Sequence, residues 1–345
     1  MAKISQFNEE MLTNDEKLLL SDPNVDIDKL MVCVQEEIDK KNYPVMLKLL
    51  ERGAELGSGR ALNELGAAYL EGEVVEEDLG KAEEYFVKAI INGSNRAKFN
   101  LGLMYVEGPL AKGDNVQKGL ALLNECLTYE DKDAYFALGQ VYDAGHCVKR
   151  DAQKSTEFYE KAAELGHAVA CFNLGTKYTI GSDVRIDYQK ARAYLEKAVE
   201  YGHIKAYCNL GFLYLKGQGV PKDTDKAMEY FLKGGSCGDG ECYNNLGYMY
   251  YMGDGVPMNH DKAFEYFSQG VKLDNTNTHY GLGICYEYGL GTPPDMKAAL
   301  KYYRIAAERG HGAAAARLQL LKSENSRPPK KQSPTKKTKQ RRRKK

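Results

Sequence analysis

The chain has 345 residues, with 48 acidic and 48 basic side chains and a formal net charge of zero. No apolar run approaches the ~20 residues of a membrane span, and the N-terminal stretch MAKISQFNEEMLTNDEK lacks the apolar core of a secretory signal. Met1-Ala2 excludes N-myristoylation, and the final RRRKK is not a prenylation box. The sequence therefore predicts an intracellular protein, cytoplasmic and/or nuclear, without a transmembrane segment.

The N-terminal part of the chain divides into two predicted regions. Residues 1–24 are polar and irregular, so we expect them to be mostly disordered. Residues 25–60 contain two helical patterns, Val25–Lys40 and Tyr43–Leu56. Because the terminal unit of a repeat array must cover an apolar end, we interpret 25–60 as a divergent capping helix pair.

A repeated unit then fills most of the chain. Leu-Gly pairs recur every 36 or 37 residues, and a tyrosine follows each glycine by three positions. The glycines are Gly66, Gly102, Gly139, Gly175, Gly211, Gly247 and Gly283; the tyrosines are Tyr69, Tyr105, Tyr142, Tyr178, Tyr214, Tyr250 and Tyr286. This spacing puts Leu, Gly and Tyr on one packing face of a helix. Since glycine weakens a helix by roughly 0.5–1 kcal/mol, its recurrence predicts a close contact with a partner helix.

Each unit continues with a second helical pattern, in which a small residue precedes a pair of large ones at the i+3 and i+4 positions. These sets are Ala82/Tyr85/Phe86, Gly119/Leu122/Leu123, Ser155/Phe158/Tyr159, Ala191/Tyr194/Leu195, Ala227/Tyr230/Phe231, Ala263/Tyr266/Phe267 and Ala299/Tyr302/Tyr303. An Asp or Asn four residues before each small residue predicts the helix N-cap. These caps are Asp78, Asn115, Asp151, Asp187, Asp223, Asn259 and Asp295. Gly-rich segments such as Gly217–Val220, Gly253–Val256 and Gly289–Thr292 are expected to end the first helices.

The combined pattern A-x-x-x-L-G-x-x-Y-x-x-G-x-G-V-x-x-D-x-x-K-A-x-x-Y-x-x-K-A-A-x-x-G resembles the Sel1-like repeat, a relative of the tetratricopeptide repeat, over about residues 43–314. The resemblance implies an all-α fold, a right-handed α-solenoid of about seven helix-pair repeats over residues 61–314 plus terminal caps. The second repeat departs from the pattern, because the loop Gly108–Asn115 replaces the G-x-G turn. A final helix, Gly312–Lys322, suits a C-terminal cap, whose end occupies residues 315–322.

Cysteine and histidine positions do not predict a metal site. Some secreted family members carry paired cysteines at recurring repeat positions, but here the cysteines occupy different positions, so we expect buried free thiols. They are Cys33, Cys126, Cys147, Cys171, Cys208, Cys237, Cys242 and Cys285. Three histidines (His167, His203 and His311) share one repeat position after the second helix, too far apart to coordinate one ion. We interpret them as turn residues that are satisfied by the backbone.

The chain also lacks the sequence motifs of common active sites. Neither a phosphate-binding G-x-x-x-x-G-K-[ST] loop nor an H-E-x-x-H or G-x-S-x-G motif is present. The sequence therefore predicts a protein without catalytic residues, cofactor, metal or small-molecule substrate.

The predicted partner-binding surface is a groove lined by the first helices. The residue before Leu-Gly is asparagine in four repeats: Asn100, Asn173, Asn209 and Asn245. By resemblance, tetratricopeptide clamps use an asparagine at such a position to hydrogen-bond a bound peptide. Predicted neighbours in the groove are Lys205, Phe212, Lys216, Tyr248 and Tyr251, a mixture of cations and aromatic surface that suits an extended peptide. The alternative is that these asparagines belong to the repeat itself and bond to the adjacent helix.

A polybasic tail, predicted to be disordered, occupies residues 323–345. It carries 11 Lys/Arg and no acid from Asn325 onward, so the rest of the chain has a formal charge of −11. The clustered cations are Lys330, Lys331, Lys336, Lys337, Lys339, Arg341, Arg342, Arg343, Lys344 and Lys345. Three roles remain open: a nuclear import signal that binds an importin, a nucleic-acid tether, or a membrane-surface tether. Ser333, in Ser-Pro-Thr-Lys, resembles a proline-directed phosphorylation site, and a phosphate there would remove up to two units of charge.

Two functions follow from these features. The first is a non-catalytic scaffold or adaptor that binds an unidentified partner protein or peptide in the groove, with the tail directing its location. The alternative is a nucleic-acid-associated protein that is tethered by the tail and recruits other proteins through the repeats. The tail has no aromatic residue for base stacking, which favours the first function.

Overall fold

The computed structural model describes residues 7–325, which form helices and connecting turns without a β-strand. These residues fall into two compact units, unit 1 and unit 2, which divide between His203 and Ile204. Unit 1 contains two short 3-10 helices (Glu9–Met11 and Leu127–Tyr129) and the helices α1 (Asn14–Ser21), α2 (Ile27–Asp39), α3 (Tyr43–Glu55), α4 (Gly59–Glu71), α5 (Leu79–Ile91), α6 (Asn95–Val106), α7 (Asn115–Cys126), α8 (Lys132–Ala144), α9 (Ala152–Glu164), α10 (Ala168–Ile180) and α11 (Tyr188–Glu200). Unit 2 contains α12 (Ala206–Lys216), α13 (Thr224–Ser236), α14 (Gly240–Met252), α15 (His260–Lys272), α16 (Thr276–Tyr288), α17 (Met296–Glu308) and α18 (Gly312–Asn325).

Seven helix pairs, from α4/α5 to α16/α17, correspond to the seven predicted repeats, which are numbered 1 to 7 here. In each pair the first helix packs along the second, which confirms the all-α repeat solenoid. No helix within residues 7–325 is both long enough and apolar enough to cross a membrane.

The glycine of each Leu-Gly pair lies directly under a large side chain of the second helix. A Cβ atom built on Gly66 would lie 2.7 Å from the Phe86 ring, and one on Gly175 would lie 2.6 Å from Leu195 Cγ. Real Cβ atoms essentially never come closer than 3.0 Å to such a neighbour. The predicted close contact between the two helices is therefore confirmed.

The recurring tyrosines stack on the second helix. In six repeats the ring centroids of the pair lie 5.5–5.9 Å apart: Tyr69–Tyr85, Tyr142–Phe158, Tyr178–Tyr194, Tyr214–Tyr230, Tyr250–Tyr266 and Tyr286–Tyr302. In five of them a lysine from the first turn of the second helix lies over the tyrosine, 4.4–5.1 Å from its centroid. Repeat 2 has Leu122 in place of the second ring, and there the Tyr105 hydroxyl donates to Glu83 instead.

Six of the seven predicted N-caps accept hydrogen bonds from first-turn amides: Asp78, Asp151, Asp187, Asp223, Asn259 and Asp295. The prediction for Asn115 was wrong. Asn115 is the first residue of α7, its Nδ2 donates to Leu110 O at 3.3 Å, and the preceding Asp114 makes no side-chain cap. The cause is the irregular loop that replaces the G-x-G turn. In the other turns, Gly217 and Gly219 have φ angles of 67° and 70°, as predicted for the end of a first helix.

Neighbouring repeats meet through small residues. Most repeats place alanine on both sides of this junction, as at Ala306 and Ala314, which are fully buried. At two other junctions in unit 2, a glycine faces a residue larger than alanine: Gly234 faces Cys242, and Gly270 faces Thr278. Each larger side chain occupies the space that the glycine leaves. These two junctions are therefore packed as closely as those that have alanine on both sides.

The N-terminal end differs from the prediction of disorder over residues 1–24. Residues 9–11 and 14–21 are helical, and Thr13 and Glu16 form a reciprocal capping box at the start of α1. The apolar residues of this segment cover the core of α2 and α3, the two helices that correspond to the predicted capping pair. These residues are Phe7, Met11, Leu12, Leu19 and Leu20. Burial against the adjacent core stabilises a helix that is too short to form alone. Residues 1–6 lie outside the described part of the chain.

The C-terminal end is held by one buried carboxylate. The Glu287 side chain, which is only 4% exposed, accepts from Tyr303 Oη at 2.7 Å and from Arg317 Nε at 3.0 Å. Burial acts to raise the pKa of Glu287, but the bonds from Arg317 and Tyr303 outweigh it and lower the pKa. Helix α18 continues to Asn325, three residues past the predicted end of the cap, so residues 323–325 are not part of a disordered tail.

Gly66→Ala is expected to lower the free energy of unfolding by about 1–3 kcal/mol, because the new methyl group overlaps the Phe86 ring. Gly80→Ala is the control in the same repeat, since its Cβ would meet only Asp78 Oδ1 at 3.4 Å. The control should keep or slightly raise stability. Urea unfolding followed by circular dichroism measures both variants. Equal losses in the two would contradict the proposed role of the contact.

Arg317→Ala is expected to cost about 3 kcal/mol, because it leaves the Glu287 charge buried without its cation. Arg309→Ala removes a comparable ion pair to Asp274 that is exposed to water, and it should cost less than about 1 kcal/mol. Denaturant titrations of both variants measure the difference. A loss at Arg317 as small as that at Arg309 would show that the buried carboxylate does not hold the C-terminal helix.

Candidate functional site

Four of the nine predicted groove residues surround one pocket in unit 2. Phe212 and Lys216 come from the end of α12, and Asn245 and Tyr248 come from α14. The pocket has a volume of about 400 Å³. Its remaining lining residues, which the sequence interpretation missed, are Leu215, Met249, Met252 and Asp254. Met252 follows Tyr248 by four positions on α14, so helical spacing alone could have identified it.

The walls of the unit 2 pocket are apolar and aromatic. Phe212 is 39% exposed and packs edge-on against Phe231, with ring centroids 5.5 Å apart. Tyr248 packs in the same manner on Phe267 at 5.2 Å, and Met252 is 68% exposed at the rim. Burial raises the pKa of Tyr248 to about 12, so its phenol is a neutral hydrogen-bond donor at physiological pH. The predicted groove residue Tyr251 lies beside the pocket, 6.2 Å from the Tyr248 ring.

An ion pair crosses one end of the pocket. Lys216 Nζ lies 3.0 Å from Asp254 Oδ2, and both side chains are about half exposed. Such a pair contributes roughly 0–1 kcal/mol. A ligand can therefore separate the two charges at little cost.

Two of the four asparagines before Leu-Gly bond to the neighbouring first helix. Asn245 Nδ2 donates to Cys208 Sγ at 2.9 Å, and Asn100 Nδ2 donates to Asn63 Oδ1 at 2.9 Å. The two acceptors occupy the same repeat position. The alternative interpretation of these amides, a bond to the adjacent helix, is thus confirmed for Asn100 and Asn245.

This hydrogen bond between first helices has no equivalent one repeat later. Asn244 occupies the acceptor position in α14, but Gly281 stands where repeat 7 would need the donating asparagine. Asn244 is 5% exposed, its Nδ2 donates to Glu241 Oε1 at 3.0 Å, and its Oδ1 is buried without a partner among the described residues. A residue larger than glycine at position 281 would collide with the Phe267 ring.

A second pocket lies in unit 1 at the equivalent repeat positions. Its volume is about 290 Å³, and Asn100 from α6 lines it as Asn245 lines the pocket in unit 2. Its acidic residues are Glu71 and Glu107, and burial raises the pKa of Glu107. The same repeat geometry therefore produces pockets of different charge.

The other predicted site residues are distributed along the chain. Asn173 is half-buried in α10, and Asn209 is half-buried in α12. Lys205 is exposed and precedes α12 without a side-chain capping bond. The clustered cations of the tail and Ser333 lie outside the described residues.

Comparison with a protein-family model agrees with this repeat geometry. The Sel1 repeat model matches seven stretches of the chain, residues 59–94, 95–125, 132–167, 168–203, 204–239, 240–275 and 277–311. The chain belongs to the Sel1 repeat family. Sel1 repeat proteins are generally non-enzymatic scaffolds for protein interaction.

Two solved structures are similar to this Sel1 repeat chain. One is a protective antigen from uropathogenic Escherichia coli strains that displays an SLR fold, with 30% identity and a TM-score of 0.67 over 81% of this chain. The match spans only 60% of the E. coli protein. The other is a Sel1 repeat protein from Oxalobacter formigenes, with 26% identity and a TM-score of 0.64 over 89% of this chain and 84% of that protein.

All eight cysteines of this Sel1 array are free, and five are buried as predicted: Cys126, Cys171, Cys208, Cys242 and Cys285. Cys33 and Cys147 are only half-buried, and Cys237 is exposed, contrary to prediction, because it directly follows the last residue of α13. Cys208 and Cys242 lie together with Asp239, and the three potential ligand atoms are within 4.8 Å of one another. The sequence did not indicate this cluster, since the two cysteines occupy different repeat positions.

The three histidines that share a repeat position of the Sel1 pattern pack against aromatic rings. His167, His203 and His311 stack on Phe136, Phe172 and Tyr280 with centroids 4.2–4.4 Å apart. In addition, His167 Nδ1 accepts from Ala170 N at 3.1 Å, and His311 Nδ1 accepts from Ala314 N at 3.2 Å. These two histidines cap the helices that follow them. Their side chains are thus hydrogen-bonded to the backbone, as the sequence interpretation predicted.

The stability of the Sel1 array is expected to fall below pH 6.5 in part through His167. Burial lowers its pKa, which outweighs the opposing effect of Asp133, while Lys132 acts in the same direction as burial. As the pH falls below the ordinary value near 6.5, the unfolded chain takes up a proton before the folded chain does, so unfolding becomes more favourable. Urea titrations at pH 7.5 and 5.5 test this effect. His167→Asn keeps a capping side chain that does not titrate, so its loss of stability between these pH values should be smaller than that of the wild type; equal losses would contradict the assignment.

Proposed function

We propose that the unit 2 pocket binds an extended segment of a partner protein and receives one bulky apolar side chain from it. The observation that carries this proposal is the combination of a cavity of about 400 Å³ with large apolar groups left exposed at its rim, Phe212 and Met252. Aromatic and methionine side chains are enriched in the centres of protein interfaces. Displacing water from these surfaces supplies the affinity for the partner side chain.

Polar groups around the unit 2 pocket suit the backbone of that segment. Asn245 is held at the pocket wall by its bond to Cys208, so little side-chain entropy is lost when its remaining amide groups bind a peptide. Lys216 and Asp254 can exchange their weak ion pair for bonds to a peptide carbonyl and amide. The proposed ligand is therefore an extended peptide with an apolar anchor, rather than a small molecule.

The unit 1 pocket is proposed to select a different side chain. Glu71 and Glu107 line it where Lys216 and Met252 line the unit 2 pocket. Carboxylates in a partly buried site favour a basic or amide-bearing side chain. Specificity for partners would then arise from the residues that vary on a constant repeat backbone.

The proposal predicts that Met252→Asp weakens peptide binding at least about tenfold, because a charge replaces apolar surface at the rim of the unit 2 pocket, where the partner side chain enters. Met258→Asp is the matched control, since Met258 is 64% exposed, close to the 68% of Met252, but does not line the pocket. Peptides selected on the wild-type chain from a random display library supply the probe. Fluorescence anisotropy then measures the Kd of each variant.

Loss of binding in Met252→Asp alone would support the proposal, provided that circular dichroism shows both variants folded. Equal affinity in both variants, or equal loss in both, would place the binding surface elsewhere. Lys216→Ala tests the polar rim and is expected to have a smaller effect than Met252→Asp.

In this proposal the polybasic tail directs location as a nuclear import signal, and phosphate on Ser333 would reduce its charge. The tail has a formal charge of +11, whereas the rest of the chain has a formal charge of −11. This separation of charge also favours a second function, association with nucleic acid. Full-length protein and residues 1–324 purified in parallel from cells, with and without nuclease, separate the two. Partners retained by both proteins after nuclease treatment support the scaffold, whereas partners lost with the tail or the nucleic acid support the second function.

A further inference from the structure

The cluster of Cys208, Asp239 and Cys242 lies within unit 2, between the first helices of repeats 5 and 6. Cys208 is in α12, Cys242 is in the first turn of α14, and Asp239 is the N-cap residue of α14. Both thiols are buried, whereas Asp239 is half-buried. Among residues 7–325, these are the three Cys, His, Asp or Glu side chains whose potential ligand atoms lie close enough together to hold a metal ion.

We propose that these three side chains bind a thiophilic d10 cation, with Zn²⁺ as the physiological ion. A tetrahedral zinc ion with Zn–S distances of ~2.3 Å and Zn–O distances of ~2.1 Å separates a sulfur and an oxygen ligand by about 3.6 Å. Cys242 Sγ and Asp239 Oδ2 lie 3.6 Å apart, and all three ligand atoms lie within 4.8 Å. The ligands therefore need to move little to surround the ion.

The surroundings of the three ligands fit a cation site. Asp239 caps α14 through Oδ1, which accepts from Glu241 N at 3.0 Å, so Oδ2 is oriented towards the thiols. Asn245 Nδ2 donates to Cys208 Sγ, as outer groups commonly do to a metal-bound thiolate. Gly234 in α13 leaves the space that the Cys242 sulfur occupies. On binding, each thiol releases its proton to solvent, and a water molecule completes the four-coordinate site.

The site would lie directly behind the unit 2 pocket, because Asn245 contacts both Cys208 and the pocket. A cation there would join α12 to α14 and fix the wall that carries Asn245. This inference does not depend on the proposed peptide function, because it rests on the ligand geometry alone.

Titration of the full-length chain with Co²⁺, under anaerobic conditions with a phosphine reductant, tests the site. The wild type is expected to bind one equivalent, with a thiolate charge-transfer band and the visible bands of tetrahedral Co²⁺. Cys242→Ala introduces the residue that most other repeats carry here, so it should fold but lose the charge-transfer intensity and bind at least about tenfold more weakly. Asp239→Asn keeps a capping side chain and both thiols, so it should retain the charge-transfer band while its affinity falls about tenfold.

Two further variants control for other thiols. Cys285→Ala removes a fully buried thiol from the same unit, and Cys237→Ala removes the exposed one. Both should bind Co²⁺ like the wild type, and Zn²⁺ should displace the Co²⁺ signal in each. The proposal is overturned if the wild type shows no thiolate band, if Cys242→Ala binds as well as the wild type, or if either control variant abolishes the signal.

Discussion

The close approach of the two helices in each repeat is the constraint on which the rest of the structure depends. A glycine in the first helix lets an aromatic or leucine side chain of the second helix lie directly against the backbone, as Phe86 does over Gly66. This contact sets the distance at which the tyrosine three residues later can stack on the second helix, where a lysine also lies over its ring. Because the glycine contact recurs in all seven repeats, the opposite face of each first helix is presented in the same way every time. The pockets in units 1 and 2 lie between consecutive first helices, at equivalent repeat positions.

The polar contacts between neighbouring first helices connect this packing to the candidate sites. The amide of Asn245 is bonded to Cys208, and it is also part of the wall of the unit 2 pocket. One side chain thus links a repeat junction, the unit 2 pocket and a thiol cluster. A structural role for the repeated asparagine does not exclude a binding role, because the amide has more hydrogen-bonding groups than the junction uses. The pairing also accounts for the orphaned oxygen of Asn244, whose donor is absent where Gly281 replaces asparagine.

Sequence periodicity predicts most of the fold, because each repeat position meets the same neighbours and so carries the same residue type. It predicts the helix pairs, six of seven N-caps and four of the pocket residues. It fails where contacts are particular to one place. Helix α1 depends on burial against α2 and α3, which a polar local sequence does not reveal. Asp254 reaches the pocket only because the turn after α14 places it beside Lys216. Cys208 and Cys242 occupy different repeat positions, so only the packing of α12 against α14 brings them together.

The pairing of a glycine with a larger residue at two junctions in unit 2 limits which repeats can be removed or shuffled. Excision of repeat 6 would bring α13 against α16, where Gly234 would meet Thr278, again a glycine opposite a larger side chain. Excision of repeat 7 would instead bring α15 against α18, where Gly270 would meet Ala314, which has a smaller side chain than Thr278. Although the repeats have similar lengths and a common pattern, they are not interchangeable modules. The side-chain volumes that are paired after repeats 5 and 6 therefore limit which repeats can be removed without a change in packing.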